Sequence, residues 1–255
     1  MIQLTKKDLE QCKQLHSEGN HHNKNGTLYL DEQKKIIYKL IEADYFFPDE
    51  TKRNIKYQIE NPIPNSPTII DEIEVDGKFG YAMSYIENSI SFRDAIGLDI
   101  PDELKMKAIL DIFQTIKYLH SQDITLGDIH LDNFLINPEG GHVIDLDYMR
   151  FPGDEFKFQT CYDIVIADKK YTKADKYTDS IKVMIAALSL IFNDDLETRI
   201  IDRNNFQMYD LRIPIAATED ENLINYFDNL IENYELHYFD DFLRGENPSR
   251  NKKVW

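Results

Sequence analysis

Residues 119–148 read LHSQDITLGDIHLDNFLINPEGGHVIDLDY, and the rest of the 255-residue chain is placed by reference to them. An apolar helix end at Tyr118-Leu119 runs into a polar loop carrying Asp128 and Asn133. Phe134-Leu135-Ile136 reads as a strand, Pro138-Glu139-Gly140-Gly141 as a tight turn, and the returning strand ends on Asp145, with Asp147 two residues later. Two Asp and one Asn in a polar loop are ordinary turn residues when taken alone. Their order lifts them above that: helix end, loop Asp, Asn five residues on, strand, turn, strand-end Asp.

This arrangement resembles the catalytic loop and metal-binding strand end of protein kinases. Leu126-Gly127-Asp128 with Asn133 is similar to H-R-D-x-x-x-x-N, and Asp145-Leu146-Asp147 to D-F-G. Leu119-His120-Ser121 stands one short loop ahead of Asp128, as in many members. Phosphoryl transfer needs a carboxylate on the accepting hydroxyl and oxygen ligands for the magnesium ions that bridge the nucleotide phosphates. The resemblance therefore implies ATP and Mg2+ as cofactors, Asp128 as the catalytic carboxylate, and Asn133, Asp145 and Asp147 as metal ligands.

Several departures lean toward a second branch. Leu126-Gly127 replaces His-Arg and is similar to the H-G-D of aminoglycoside and choline phosphotransferases. His130 stands where many protein kinases have Lys and the small-molecule enzymes often have His, and a second carboxylate like Asp147 is common in that branch. Gly127 also removes the Arg that an activation-loop phosphate neutralises, so no phosphorylation between Phe151 and Thr178 is expected to be required.

Composition narrows the partners. A net charge of −17 argues against nucleic acid, whose phosphates are held by clustered Lys and Arg, and against anionic membranes. No apolar run approaches the ~18 residues of a membrane span. The start, Met1 to Lys7, lacks an apolar signal core, so a cytoplasmic location is expected. Cys12 and Cys161 have no metal-ligand spacing and read as reduced thiols. Nothing in the chain sets an oligomeric state.

Ahead of the central stretch, residues 1–12 read as a short amphipathic start. Lys13–Glu18, Thr27–Leu30 and Lys35–Ile41 then read as three strands in a meander. The resemblance lays the first loop over the ATP phosphates, with Gly19 and Gly26 in place of a fuller G-x-G-x-x-G and Lys24 nearby. His21-His22 in that loop reads as solvated. Lys39 follows Ile36-Ile37-Tyr38 on a buried-looking strand, where its ammonium needs an anion. Tyr38-Lys39-Leu40 resembles A-x-K of the third kinase strand, whose Lys binds phosphates and pairs with a helix Glu. Pro48 opens the next helix, which runs to Ile59. Glu50 is the candidate partner of Lys39, with Glu60 as the alternative.

Pro62, Pro64 and Pro67 end that helix, and Asp76-Gly77 makes a hairpin turn before Phe79–Glu87. This run resembles the hinge between kinase lobes, which implies Met83 beside adenine and main-chain recognition by Ser84, Tyr85, Ile86 and Glu87. Pro101-Asp102-Glu103 opens an amphipathic helix that delivers the chain to Asp128. Tyr177-Thr178-Asp179 caps an apolar helix, Ser180–Phe192, expected to be buried. In the family Asp179 would accept N–H groups of the catalytic loop. Phe242–Arg250 resembles the C-terminal LL-x-x-D-P-x-x-R, and Asp168 is a substitute for the missing A-P-E glutamate.

The expectation is thus an α+β, bilobal, protein-kinase-like fold. Residues 1–87 form a nucleotide-binding sheet with one helix, and residues 88–255 a mainly helical lobe with the catalytic loop. The function implied is an ATP-dependent Ser/Thr protein kinase of an atypical, bacterial type. A small-molecule kinase with a hydroxyl-bearing acceptor, and a pseudokinase or binding module, are the alternatives.

Overall fold

A computed structural model describes residues 2–15, 26–41, 48–154 and 176–198. Gly19, His21, His22, Lys24, Cys161, Asp168 and the 242–250 segment lie outside the described residues. The fold is α+β, in two compact units. One comprises the described residues up to Asn88 together with Asp145–Tyr148; the other comprises Ser89–Ile144 and the described residues from Met149 on.

The first unit contains β1 (Ile2–Leu4), α1 (Lys6–Leu9), β2 (Lys13–Leu15), β3 (Gly26–Asp31), β4 (Ile36–Ile41), α2 (Pro48–Glu60), β5 (Ile69–Val75) and β6 (Lys78–Ser84). Its six-stranded sheet has the order β1-β5-β6-β4-β3-β2. β2, β3 and β4 form the expected antiparallel meander, in register from Gly26↔Ile41 to Asp31↔Ile36 across the last pair. The β5–β6 hairpin turns at Asp76 and Gly77, with φ of 50° and 79°. Two left-handed residues match the twist of the flanking strands, which is why Asp-Gly is suited there.

The amphipathic start resolves into two pieces. β1 adds to the sheet parallel to β5, through Ile2↔Ile73 to Leu4↔Val75, and makes the sheet mixed. Thr5 and Asp8 cap α1 reciprocally: the Asp8 N–H donates to Thr5 Oγ1 at 3.3 Å and the Thr5 N–H to Asp8 Oδ2 at 2.7 Å.

Alternation along β4 divides its side chains between two faces. Tyr38 and Leu40 pack with Leu9, Ile73, Val75 and Ala82. Ile41 packs with Ile55 of α2 and with Ile69 and Tyr81. Lys39 shares the second face, opposite Tyr81 in the register, so the period of two delivers its ammonium to the side covered by α2.

The second unit contains β7 (Ile90–Ser91), α3 (Phe92–Ala95), α4 (Asp102–Ser121), β8 (Phe134–Asn137), β9 (Gly140–Val143) and α5 (Lys176–Phe192). Its sheet has the order β7-β8-β9. Ala108, Ile109, Ile112, Phe113, Ile116 and Leu119 give α4 a fully buried stripe, each large side chain contributing roughly 1.5–3 kcal/mol. A Cβ on Gly141 would come within 2.1 Å of the Ala108 carbonyl oxygen, so α4 and β9 approach as closely as backbones allow. α5 is buried from Val183 to Leu190, as its apolar composition requires. Among the described residues no helix is long and apolar enough to cross a membrane.

Candidate active site

In the first unit the site is built around a buried cation. The Lys39 ammonium donates to Asp145 Oδ1 and, at 3.0 Å, to Asp147 Oδ2. The Lys39 and Asp147 side chains are 5% and 0% exposed. Burial opposes the lysine's charge, but the two carboxylates overcome it and hold its pKa well above the ordinary value. For Asp147, burial pushes the pKa up, Lys39 pulls it down and the Asp145 charge adds to the push; the net direction is up. Asp145 carries φ of 59°, a left-handed conformation uncommon outside Gly and suited to aiming one side chain at a turn.

The carboxylates shown against Lys39 are thus those of Asp145 and Asp147. Glu50 lies half-buried in the first turn of α2, where the helix N-terminus favours an acid, and Glu60 is exposed at its other end. The buried polar residues of α2 are Thr51, Asn54 and Gln58. Asn54 Nδ2 donates to the Asp147 carbonyl at 2.8 Å, and Gln58 Nε2 to the Leu146 carbonyl at 3.3 Å.

In the second unit a loop presents Asp128. Leu126, Ile129 and Leu131 anchor it in the core. Thr125 pairs with Arg150 through two main-chain bonds of 3.0 and 2.8 Å. Asp179, on α5 and 1% exposed, accepts the Leu126 N–H at 2.8 Å and the Gly127 N–H at 3.4 Å. This is the contact expected of it, and His120 Nε2 adds a third at 3.2 Å. Gly127 has φ of 79°, which an Arg at that position would adopt only with strain. Asn133 closes the loop: its Nδ2 donates to the Asp128 carbonyl at 3.0 Å, while its own carbonyl accepts the Ile144 N–H at 2.9 Å.

No family model matches the chain. A curated protein of Acanthamoeba polyphaga mimivirus, described as a putative serine/threonine-protein kinase, is 31% identical over 136 residues, 49% of each chain. This distant similarity supports membership of the protein-kinase-like superfamily. It spans about half the length of that curated relative.

The surroundings of two further expected regions are also seen. Gly26 opens β3 rather than sitting in the preceding loop, and a Cβ there would meet the Leu40 carbonyl oxygen at 2.3 Å. Close strand pairing thus accounts for its lack of a side chain. In the hinge-like segment, the Ser84 N–H donates to the Thr68 carbonyl at 3.0 Å and the Tyr85 N–H to the Lys35 carbonyl at 2.9 Å. Both amides extend the sheet. Met83 is half-buried against the cluster of Ile41, Ile55, Ile69 and Tyr81, and Ile86 is half-buried beyond β6.

The kinase-like loop also carries a network that sequence reasoning missed. Arg93 Nε donates to both Asp132 oxygens, at 3.0 and 2.9 Å. Its other nitrogens reach Asp195 and, at 3.2 Å, Glu197. Glu197 Oε2 also accepts the Leu131 N–H at 2.9 Å. His130 lies between two acids, with Nε2 3.8 Å from Asp128 Oδ2 and Nδ1 3.5 Å from Asp132 Oδ2. Burial opposes ionisation of Asp132, but hydrogen bonds from His130 and Arg93 bring its pKa down to about 2. For His130, burial lowers the pKa while Asp132 and Asp128 raise it, and the net direction is up. Separations of 39 and about 100 residues left no local signal for these pairings.

Proposed function

We propose that this chain, built on the protein-kinase-like fold, is an ATP-dependent phosphotransferase that moves the γ-phosphate of Mg-ATP to a Ser or Thr hydroxyl of a protein. The observation that carries the reading is a buried carboxylate oxygen beside the Lys39 ammonium. One ammonium faces two carboxylates, and Asp147 Oδ1 is buried without a hydrogen-bond partner among the described residues. Such an oxygen is costly unless a further cation or donor meets it.

The donor chemistry fits magnesium. Two carboxylates supply hard oxygen ligands, and no cluster of three His, Cys, Asp or Glu is gathered among the described residues. Mg2+ is suited to such a sparse set, because it keeps waters and phosphate oxygens in its shell. When bound, it neutralises charge developing on the transferred phosphoryl group. In the first unit Asp145 and Asp147 would hold the metal, leaving Lys39 to bind nucleotide phosphates. In the second unit Asp128 accepts the proton of the attacking hydroxyl. The amide nitrogen of Asn133 is used on the loop, which leaves its side-chain oxygen to ligate a metal.

A Ser/Thr acceptor is supported by the description of the mimiviral relative and by the LHSQDITLGD spacing. A small hydroxyl-bearing acceptor is the second reading, favoured by Gly127 in place of Arg and by the second carboxylate, Asp147. Incubation with γ-labelled ATP and Mg2+ tests the proposal. Label on protein in the native chain and none with Asp145→Asn supports protein phosphorylation. Label released only when a small alcohol is supplied would favour the second reading. Nucleotide binding that ignores metal, with no transfer to either acceptor class, would indicate a binding module and refute catalysis.

A further inference from the structure

In a buried helix face set against a charged cluster, the ordinary solution is a carboxylate that completes the ion pair. α2 does something else. Its buried positions Thr51, Asn54, Ile55 and Gln58 follow helical spacing and include no acid. Two of them are primary amides, and both donate to main-chain carbonyls of consecutive residues, Leu146 and Asp147. Arg53 fixes the direction of the first bond: its Nε and Nη2 donate to Asn54 Oδ1 at 3.3 and 3.1 Å, so the Asn54 nitrogen is the atom facing Asp147.

We infer that Asn54, seconded by Gln58, is a positioning residue for the metal-binding carboxylates, replacing the helix-to-lysine ion pair with a neutral amide clamp on the backbone that carries them. The inference rests on the phosphotransferase reading above. Because the amides take the carbonyls, the Asp147 carboxylate is left for Lys39 and the metal. Because the clamp is neutral, it adds no competing anion beside the two carboxylates. Displacement of α2 moves the Leu146-Asp147 backbone directly, so the helix controls metal affinity rather than the charge state of Lys39.

The test separates positioning from mere stability. ATP affinity is measured by calorimetry with Mg2+ and with EDTA, for the native chain, Asn54→Leu and Gln58→Met. Positioning predicts that the magnesium-dependent gain in affinity falls about tenfold or more in Asn54→Leu and several-fold in Gln58→Met, with metal-free affinity within about twofold. Gln58→Met, whose bond is the longer, keeps the test open if Asn54→Leu fails to fold. Equal gains in the native chain and a folded variant, with only a lower melting temperature, would overturn the clamp and leave the function standing. A native chain that binds no ATP in either condition would overturn the functional reading, and the clamp with it.

Discussion

The two units solve the problem of holding a carboxylate in opposite ways. In the first, Asp145 and Asp147 are held by a buried charge, Lys39, and one buried Asp147 oxygen has no hydrogen-bond partner among the described residues. In the second, Asp128 is held by its backbone: Asn133 grips its carbonyl, Asp179 grips the two preceding N–H groups, and its side chain is 31% exposed. The difference teaches where each unit is fragile. The hold on the carboxylates in the first depends on electrostatic balance, whereas the hold on Asp128 in the second depends on hydrogen-bond geometry.

The largest expected effect comes from breaking the balance. Lys39→Met leaves two carboxylates facing each other, one fully buried, and is expected to cost about 3–5 kcal/mol of stability. Millimolar Mg2+ is expected to restore part of that loss in thermal denaturation. Failure of Mg2+ to raise the melting temperature of this variant would refute cation binding at these carboxylates.

A smaller loss is expected from the backbone-held loop. Asp179→Ala strands two amides, one of them buried, at a cost of about 1–3 kcal/mol. Here added Mg2+ should leave the loss unchanged. A recovery like that expected of Lys39→Met would erase the distinction between the units.

Much of this architecture was legible in the sequence, because the signals were local. Pro48 and Pro101-Asp102 mark helix starts, Asp76-Gly77 marks the hairpin, and Asp179 at the head of an apolar helix meets the loop expected of it. The partner of Lys39 was not legible. Its anions come from 106 and 108 residues away, and the buried amides Asn54 and Gln58 look like surface positions in a polar helix. β1 escaped because three residues carry no period, and its parallel pairing with β5 leaves no turn signature. The Arg93 network escaped because long-range ion pairs have no spacing to read.

The smallest effect sharpens the second unit. His130 has its pKa raised in the folded state, chiefly by Asp132 against the opposing effect of burial. Its contribution to stability is complete below the unfolded value near 6.5 and is lost as pH rises through the folded value. Native stability should therefore decline relative to His130→Gln as pH climbs above about 6.5, by no more than about 1 kcal/mol for a half-exposed pair. Chemical denaturation across pH 5.5–8.5, approximately, checks the sign, and a difference that grows with pH would contradict it.

The most direct test of the central claim is the split between binding and transfer in Asp128→Asn. Nucleotide is assigned to groups of the first unit and proton acceptance to a residue of the second, so ATP affinity with Mg2+ should stay within about threefold while labelled γ-phosphate transfer falls by about 10²-fold or more. Transfer at the native rate would remove Asp128 from the chemistry, and loss of nucleotide binding in step with transfer would contradict the division of labour between the two units.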